Sequence, residues 1–374
     1  MAGFPRTVAF LLLLPVVLLA SACKDEDRKS EAPAFMSIGD FAVTRKPTHI
    51  EVRDGAGRTL ALVPRGAEAP PGFAPSMVVR VPVRRVVAYG AFEVGILKAL
   101  GEIDTVVGLT APRKKWFIPE IRKGFDEGRI AFIGDSRNVD YERIKEQHPD
   151  LITTWDPSIV PMMDTLGIPV VVTATPVATC LNTRIRLVQF LAPFFGRDRE
   201  AEAYYQRVKT ALDAIHATTR GLPKPKVMWG DIFEKRVLVE PGNAWVAQLV
   251  GLAQSDYRFD DVYGTSCIEI STERFLYSGN DADIYFTYRT PDRGATSKAA
   301  LVRTNPLLAR VKPLQPGGRT YAPLPHYSQS SDRLDEILTE ISAILHPSAY
   351  PGHRLGFFME LPDTDPAPAK ENPS

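Results

Sequence analysis

The residue types able to do chemistry in this chain are sparse and scattered. His49, His148, His216, His326, His346 and His353 fall in no H-x-H or H-x-x-x-H pattern, and Cys23, Cys180 and Cys267 form no C-x-x-C pair. A zinc or manganese centre needs several such ligands converging on one point, so neither a resident metal nor a cofactor is expected. Nucleophilic hydrolysis needs a Ser, Cys or Thr beside an oriented base, and no G-x-S-x-G is present. Asp231 and Glu240 fall near loops, but a glycosidase needs two carboxylates across one cleft, which spacing alone does not supply. What stands out instead is a set of aromatic and charged residues just past apolar, strand-like runs. The first half offers Tyr89, Arg113, Lys115, Trp116 and Trp155; the second offers Asp231, Tyr288, Arg289, His326 and Tyr327. Aromatic rings give flat apolar walls with a polar edge, and arginine pairs bidentately with carboxylate or phosphate. Such a set binds rather than cuts, and it suits a large, partly anionic metal chelate. Each member also has a structural reading: Trp155 and Trp229 as packing residues, 113–115 as a solvated basic loop, Arg289 as a partner of Asp292.

These residues need strands to carry them. Apolar alternation around Asp54-Gly55-Ala56-Gly57 predicts a β-hairpin. The run MVVRVPVRRVVAYG predicts a strand, and FEVGILKALG a helix with Phe92, Ile96, Leu97 and Leu100 on one face. The rhythm repeats through DTVVGLT, IPEIRKGFDEGR, RIAFIG, NVDYERIKEQHPD, DLITTW, SIVPMMDTLG and IPVVVTA. Short apolar strands alternating with helices predict a parallel sheet covered on both faces. Residues 183–220 carry two helical stretches and no strand. The strand–helix rhythm then resumes with PKVMWG, RVLVEPG and ADIYFTYR, and ends in a helix between Asp332 and Pro347. In parallel sheets ligands bind beyond the carboxyl ends of the strands, which is why residues just past each run were singled out.

The N-terminus reads as an export signal: Arg6, an apolar stretch from Val8 to Ala20, then small residues before Cys23. The stretch is short for a membrane span. The sequence Leu19-Ala20-Ser21-Ala22-Cys23 resembles a lipobox, with Leu19 one place earlier than usual, so Cys23 is the expected lipidation site and membrane anchor. The expected organisation is a signal peptide at 1–22, a tether at 23–46, an α/β lobe at 47–182, a helical linker at 183–220, a second α/β lobe at 221–361 and a disordered tail at 362–374. Removing the signal takes one Arg from 45 basic residues and none from 44 acidic ones, leaving a formal charge of zero. Nucleic-acid binding, which requires a basic excess, is not expected. Cys180 and Cys267 are expected as two free thiols, with a disulfide as the alternative in an oxidising compartment.

The order of segments resembles the class III periplasmic substrate-binding proteins of ABC importers for iron–siderophore, haem and cobalamin. The resemblance rests on Val52-Arg53-Asp54-Gly55-Ala56-Gly57-Arg58, on Arg85-Val86-Val87-Ala88, on Ala99-Leu100-Gly101, and on Asp104-Thr105-Val106-Val107-Gly108-Leu109. It continues through His148-Pro149-Asp150-Leu151-Ile152, Leu166-Gly167-Ile168-Pro169-Val170-Val171 and Ile344-Leu345-His346-Pro347, and it spans roughly residues 48–360. It implies two α/β lobes, each with a mostly parallel central sheet, joined by a long helical linker around a ligand cleft. It implies a transport receptor rather than an enzyme, with a permease as partner, an aromatic ligand contact at Trp155, and a cleft loop at His326-Tyr327. The family pairs one acid per lobe with permease arginines; at the second-lobe place this chain reads Gln248-Leu249-Val250-Gly251-Leu252-Ala253-Gln254-Ser255. That departure keeps open a sensor or accessory lipoprotein binding a small anion such as molybdate or tungstate. The continuous linker further predicts that the lobes clamp the ligand with only modest motion.

Overall fold

Two β-hairpins open the described chain. The computed structural model describes residues 34–365 apart from 177, 178, 235 and 266, so the signal segment, Cys23 and the final residues lie outside it. Strands β1 (Phe35–Ile38), β2 (Phe41–Arg45), β3 (Ile50–Arg53), β4 (Thr59–Pro64) and β5 (Val78–Val81) form one sheet in that order. The segment expected to be tether is therefore folded from Phe35 onward. Gly39 turns the first hairpin at φ 60°, and Ile38 and Phe41 bury their side chains beside it. The second hairpin is the one predicted, and its turn explains the local motif. Asp54 accepts from the backbone of Ala56, Arg58 and Val172 and pairs with the Arg58 guanidinium at 2.6 Å, while Arg58 also donates to the Val170 carbonyl. Gly55 leaves no room for a side chain: a Cβ there would lie 1.9 Å from the Ala174 carbonyl oxygen. The motif thus staples the hairpin to the first lobe.

The first lobe is built on β6 (Val86–Ala88), β7 (Val106–Leu109), β8 (Ala131–Phe132), the short pair β9 (Gly134–Asp135) and β10 (Asn138–Val139), β11 (Leu151–Thr154) and β12 (Val170–Val172). The five-stranded sheet runs β12-β11-β6-β7-β8, all parallel. Its strands are apolar runs because both faces are covered. Helices α1 (Ala91–Ala99), α2 (Pro119–Asp126), α3 (Tyr141–Glu146) and α4 (Val160–Leu166) connect them. Asp140 caps α3 by accepting from Arg143 N.

Helices α5 (Leu181–Phe195) and α6 (Asp198–Thr219) form the linker, with Gly196 in the left-handed region at the bend between them. The second lobe holds β13 (Lys226–Phe233), β14 (Arg236–Val239), β15 (Asp256–Tyr257), β16 (Ile268–Ile270), β17 (Ile284–Phe286), β18 (Arg319–Pro323) and β19 (Phe358–Glu360). Helices α7 (Trp245–Leu252), α8 (Thr272–Asp281), α9 (Lys298–Thr304) and α10 (Leu334–Leu345) accompany them. Its core, β15-β13-β17-β18, is parallel. The far half of β13 continues as an antiparallel hairpin with β14, which pairs β16, and β19 is antiparallel to β18. This sheet is thus more mixed than the first, because β13 runs on beyond the level where its parallel neighbours stop. The start of the expected tail is ordered: Lys298 and Ala299 donate to the Pro362 and Asp363 carbonyls, and Asp365 accepts from Thr296 and Ser297 at the N-terminus of α9.

Candidate functional site

The lobes meet at the loops that follow β7 and β18, both at carboxyl ends of parallel strands. Gln329 clasps the first lobe through its amide: Oε1 accepts from Phe117 N and Nε2 donates to the Lys115 carbonyl, each at 2.8 Å. Gly95 on α1 lies flat against Ser331, where a Cβ would come within 2.7 Å of the serine Cβ. Lys98 pairs with Asp332 at 3.2 Å, Tyr204 donates to the Ser331 carbonyl, and Arg207 pairs with Asp335 at 3.0 Å. The junction is therefore tied on one side by complementary polar contacts from α1, α6 and the 327–335 segment.

At the heart of this junction stands Arg184, one turn into α5. Its guanidinium lies 3.7 Å from the ring centre of Phe92, on α1 of the first lobe, and 5.3 Å from that of Trp245, at the start of α7 of the second. Trp245 N donates to the Thr179 carbonyl, and Gln248 accepts from Leu181 N, fixing α7 against the start of α5. Arg184 Nε is buried without a hydrogen-bond partner, and no ion pair joins it among the described residues. Burial lowers the pKa of Arg184, while Tyr327, Tyr204, Glu93 and Glu240 oppose that shift electrostatically.

Glu93 is the acid nearest in kind. It is 2% exposed on α1; Oε1 accepts from Thr173 at 2.5 Å, and Oε2 is buried with no partner. Burial raises its pKa above the usual carboxylate range, partly offset by Thr173 and Arg184. A buried carboxylate lacking a partner is costly, so Glu93 is held toward the neutral acid. Gly90, the α1 N-cap, is small by necessity: a Cβ would sit 2.1 Å from Glu93 Oε2 and 3.4 Å from Trp155 Cδ1. Glu240, just past β14, is likewise raised by burial. Its carboxyl lies 3.7 Å from the Cys267 sulfur, whose thiol pKa is pushed to about 11, so that thiol stays protonated. Cys180 and Cys267 are both free.

The residues singled out from sequence divide into two groups. Trp155 stands beside Glu93 across Gly90, whereas Tyr89 turns its ring into the apolar cluster between the sheet and helices α3 and α4, where burial raises its pKa. Trp155 is 45% exposed at the end of β11. Tyr327 lies within electrostatic reach of Arg184, and the buried Tyr288 hydroxyl lies beside Glu240 and Cys267. His326 bonds the Gly356 carbonyl at 2.9 Å and faces Phe117. The remainder turn elsewhere. Trp116 is 3% exposed, its indole donating to the Ala111 carbonyl, so it packs inside the first lobe. Arg113 makes two hydrogen bonds to Asp126 at the surface, and Lys115 contributes its carbonyl to Gln329. Asp231 is fully buried and occupied: it accepts from Ile232 N and Thr287 and pairs with Arg289 at 3.0 Å. Arg289 thus finds its partner in Asp231 rather than Asp292, and the pair braces β13 against the end of β17. Sequence reasoning passed over Arg184, Glu93 and Phe92 because all three lie within helices rather than at strand ends. Their signal is a charge inside an apolar helical face, as in LNTRIRLVQFLAPFF and AFEVGIL.

Two surface concavities lie away from this place, at the amino ends of strands, where ligands of such sheets do not bind. One, near Arg84 and Glu102, already has Arg197 paired with Glu102; the other lies near Pro223 and His346. Among the described residues no cluster of His, Cys, Asp or Glu is arranged to hold a metal ion.

The family model described as periplasmic binding protein matches residues 86–321. An uncharacterized lipoprotein of Methanocaldococcus jannaschii is 26% identical over 294 residues, 76% of this chain and 70% of its own length. A periplasmic haem-binding protein from Pseudomonas aeruginosa superposes with TM-score 0.59 at 21% identity, covering 76% of this chain and all of that one. A nickel-bound protein from Helicobacter pylori gives TM-score 0.57 at 18% identity, covering 74% of this chain and 88% of that one. An ABC transporter substrate-binding protein from Listeria monocytogenes gives TM-score 0.55 at 16% identity, covering 71% and 99%.

Proposed function

The chain belongs to the periplasmic binding protein family, and from that premise we propose that it is the substrate-binding lipoprotein of an ABC importer. It captures a metal chelate, such as an iron–siderophore, haem or corrinoid, between its lobes and delivers it to a permease. The observation that carries this reading is the unsatisfied polar set at the interlobe junction. Glu93 Oε2 and Arg184 Nε are each buried without a partner, and the two side chains lie within electrostatic reach of one another. Buried polar groups are nearly always satisfied, so two such exceptions close together at one junction favour a ligand there. The exposed ring of Trp155 supplies an apolar wall beside them. The interlobe contacts through Gln329, Ser331 and Asp332 support a clamp that moves little.

Export and anchoring belong to the same proposal. Cys23 is the lipidated residue that holds the protein at the outer face of a membrane. No helix among the described residues is long and apolar enough to cross one. A Cys23→Ala variant should leave the membrane fraction while its ligand binding is preserved; retention in the membrane would argue against the anchor. For the binding function, tryptophan fluorescence of the unlipidated protein is titrated with ferric siderophores, haemin, cobalamin, cobinamide, molybdate and tungstate. Saturable quenching at micromolar levels or below by a chelate supports the importer reading. Quenching by molybdate or tungstate alone would favour the small-anion alternative instead.

A further inference from the structure

Resting on the cleft-receptor reading, we infer that Arg184 is the anion-recognition residue of this protein, taking a carboxylate or comparable oxyanion group borne by the ligand. The inference starts from the other cations at the junction. Lys98 is paired with Asp332, Arg207 with Asp335, and Arg289 with Asp231. Among the described residues Arg184 meets no acid within ion-pair distance, only ring faces, Phe92 from one lobe and Trp245 from the other. Cation–π contacts hold a guanidinium in place and leave its in-plane N–H groups free. A partly buried cation without a counter-charge is costly, and a planar, stacked guanidinium is suited to bidentate pairing with a planar anion.

The neighbouring acids do not fill that role. Glu93 spends Oε1 on Thr173, and Glu240 faces Cys267. Neither lies within ion-pair distance of Arg184, and burial raises both pKa values, which weakens them as counter-ions. Tyr204 donates to the Ser331 carbonyl and, like Tyr327, has a pKa raised by burial, so neither brings negative charge. The missing negative charge has to arrive with the ligand. A neutral Glu93 acid beside it then has a hydroxyl to donate to a second ligand oxygen. The ligand class is accordingly an anionic chelate with exposed carboxylate or oxyanion groups, rather than a cationic one. Because Arg184 sits on the linker and touches both lobes through rings, the same contact ties ligand charge to the relative placement of α1 and α7.

The test compares wild type, Arg184→Gln and Arg184→Lys, each first checked for unchanged thermal melting. Ferric citrate, haemin and molybdate serve as anionic probes; cobalamin and ferric desferrioxamine B serve as probes without net negative charge. Tryptophan fluorescence is the readout, and Trp245→Phe shows whether the ring stacked on Arg184 reports the event. The expected result is saturable binding of an anionic probe to wild type, at least tenfold weaker in Arg184→Gln and partly restored in Arg184→Lys. If Arg184→Gln folds poorly, competition by excess sulfate on wild type replaces it: displacement of the anionic probe is expected, and indifference to sulfate overturns the inference. Equal affinity of wild type and Arg184→Gln for an anionic probe also overturns it. Binding of only the neutral or cationic probes, unchanged by Arg184→Gln, would overturn the anion grip and leave the receptor reading standing. No binding by any probe would remove both.

Discussion

Glu93 in the first lobe and Asp231 in the second are both buried acids, and they are treated in opposite ways. In the second lobe Asp231 is fully enclosed and saturated, taking Ile232 N, Thr287 and Arg289. In the first lobe Glu93 is almost as deeply buried, yet one of its oxygens has nothing to bond. Burial raises the pKa of both carboxyls, so depth is not the difference. Neighbours are: Asp231 has an arginine in contact, whereas Glu93 has a threonine on one oxygen and only Gly90 packed close against the other. A filled network rigidifies a core, and a half-filled one is costly unless something completes it. The second-lobe acid is therefore architectural, and the first-lobe acid is left with one oxygen unbonded.

Substitutions can break this contrast. Asp231→Ala should have the largest effect on stability, because it strands the Arg289 guanidinium in a buried place; loss of one partner from such a pair costs about 3–5 kcal/mol. Chemical denaturation measures it, and a loss near zero would remove the architectural role. Trp155→Ala should leave stability nearly unchanged, since the ring is largely exposed, but weaken ligand binding at least tenfold, or about 1.4 kcal/mol. Unchanged affinity would take Trp155 out of the site.

The pH dependence sharpens the same contrast at smaller scale. With its pKa raised by burial, Glu93 keeps its proton in the folded chain to higher pH than in the unfolded chain, where the ordinary value of 4.5 applies. Across that interval the folded state binds more protons, so this group's contribution is fully present below the unfolded pKa and is lost as pH rises toward the folded one. Glu93→Gln should flatten that part of the stability–pH curve at little cost in stability at acid pH. An unaltered curve would show that Glu93 titrates alike in the folded and unfolded chains. Asp365 has the opposite sign: its contacts with Thr296, Ser297 and Arg303 lower its pKa to about 2, so its contribution is lost as pH falls through that value. The smallest expected change is in shape. With Gln329, Ser331 and Asp332 of the second lobe already tied to the first, X-ray scattering should show little compaction on ligand addition, and large compaction would contradict the clamp.

Much of the architecture was legible in the sequence. The β6–α1–β7 and β11–α4–β12 units follow from apolar runs, glycine turns and capping residues that act within a few positions of one another. Tyr89 and Trp155 were legible as strand-end residues for the same reason. The β1–β2 hairpin was not, because the charged run before it reads as a tether and its cover, such as Phe190 of α5 against Phe41, lies far along the chain. The occupation of Asp231 was hidden too: Thr287 lies 56 residues away, and only the pairing of β13 with β17 brings them together. Arg184 was missed because nothing local marks it. Its meaning comes from Phe92 and Trp245, which reach it from two different lobes.

The most direct measurement is anomalous X-ray diffraction from crystals of the protein loaded with whichever metal chelate it binds. The account predicts the metal's signal at the junction, between Trp155 on one side and Arg184 with Trp245 on the other. A signal at the amino ends of the strands, or on an outer surface, would contradict it.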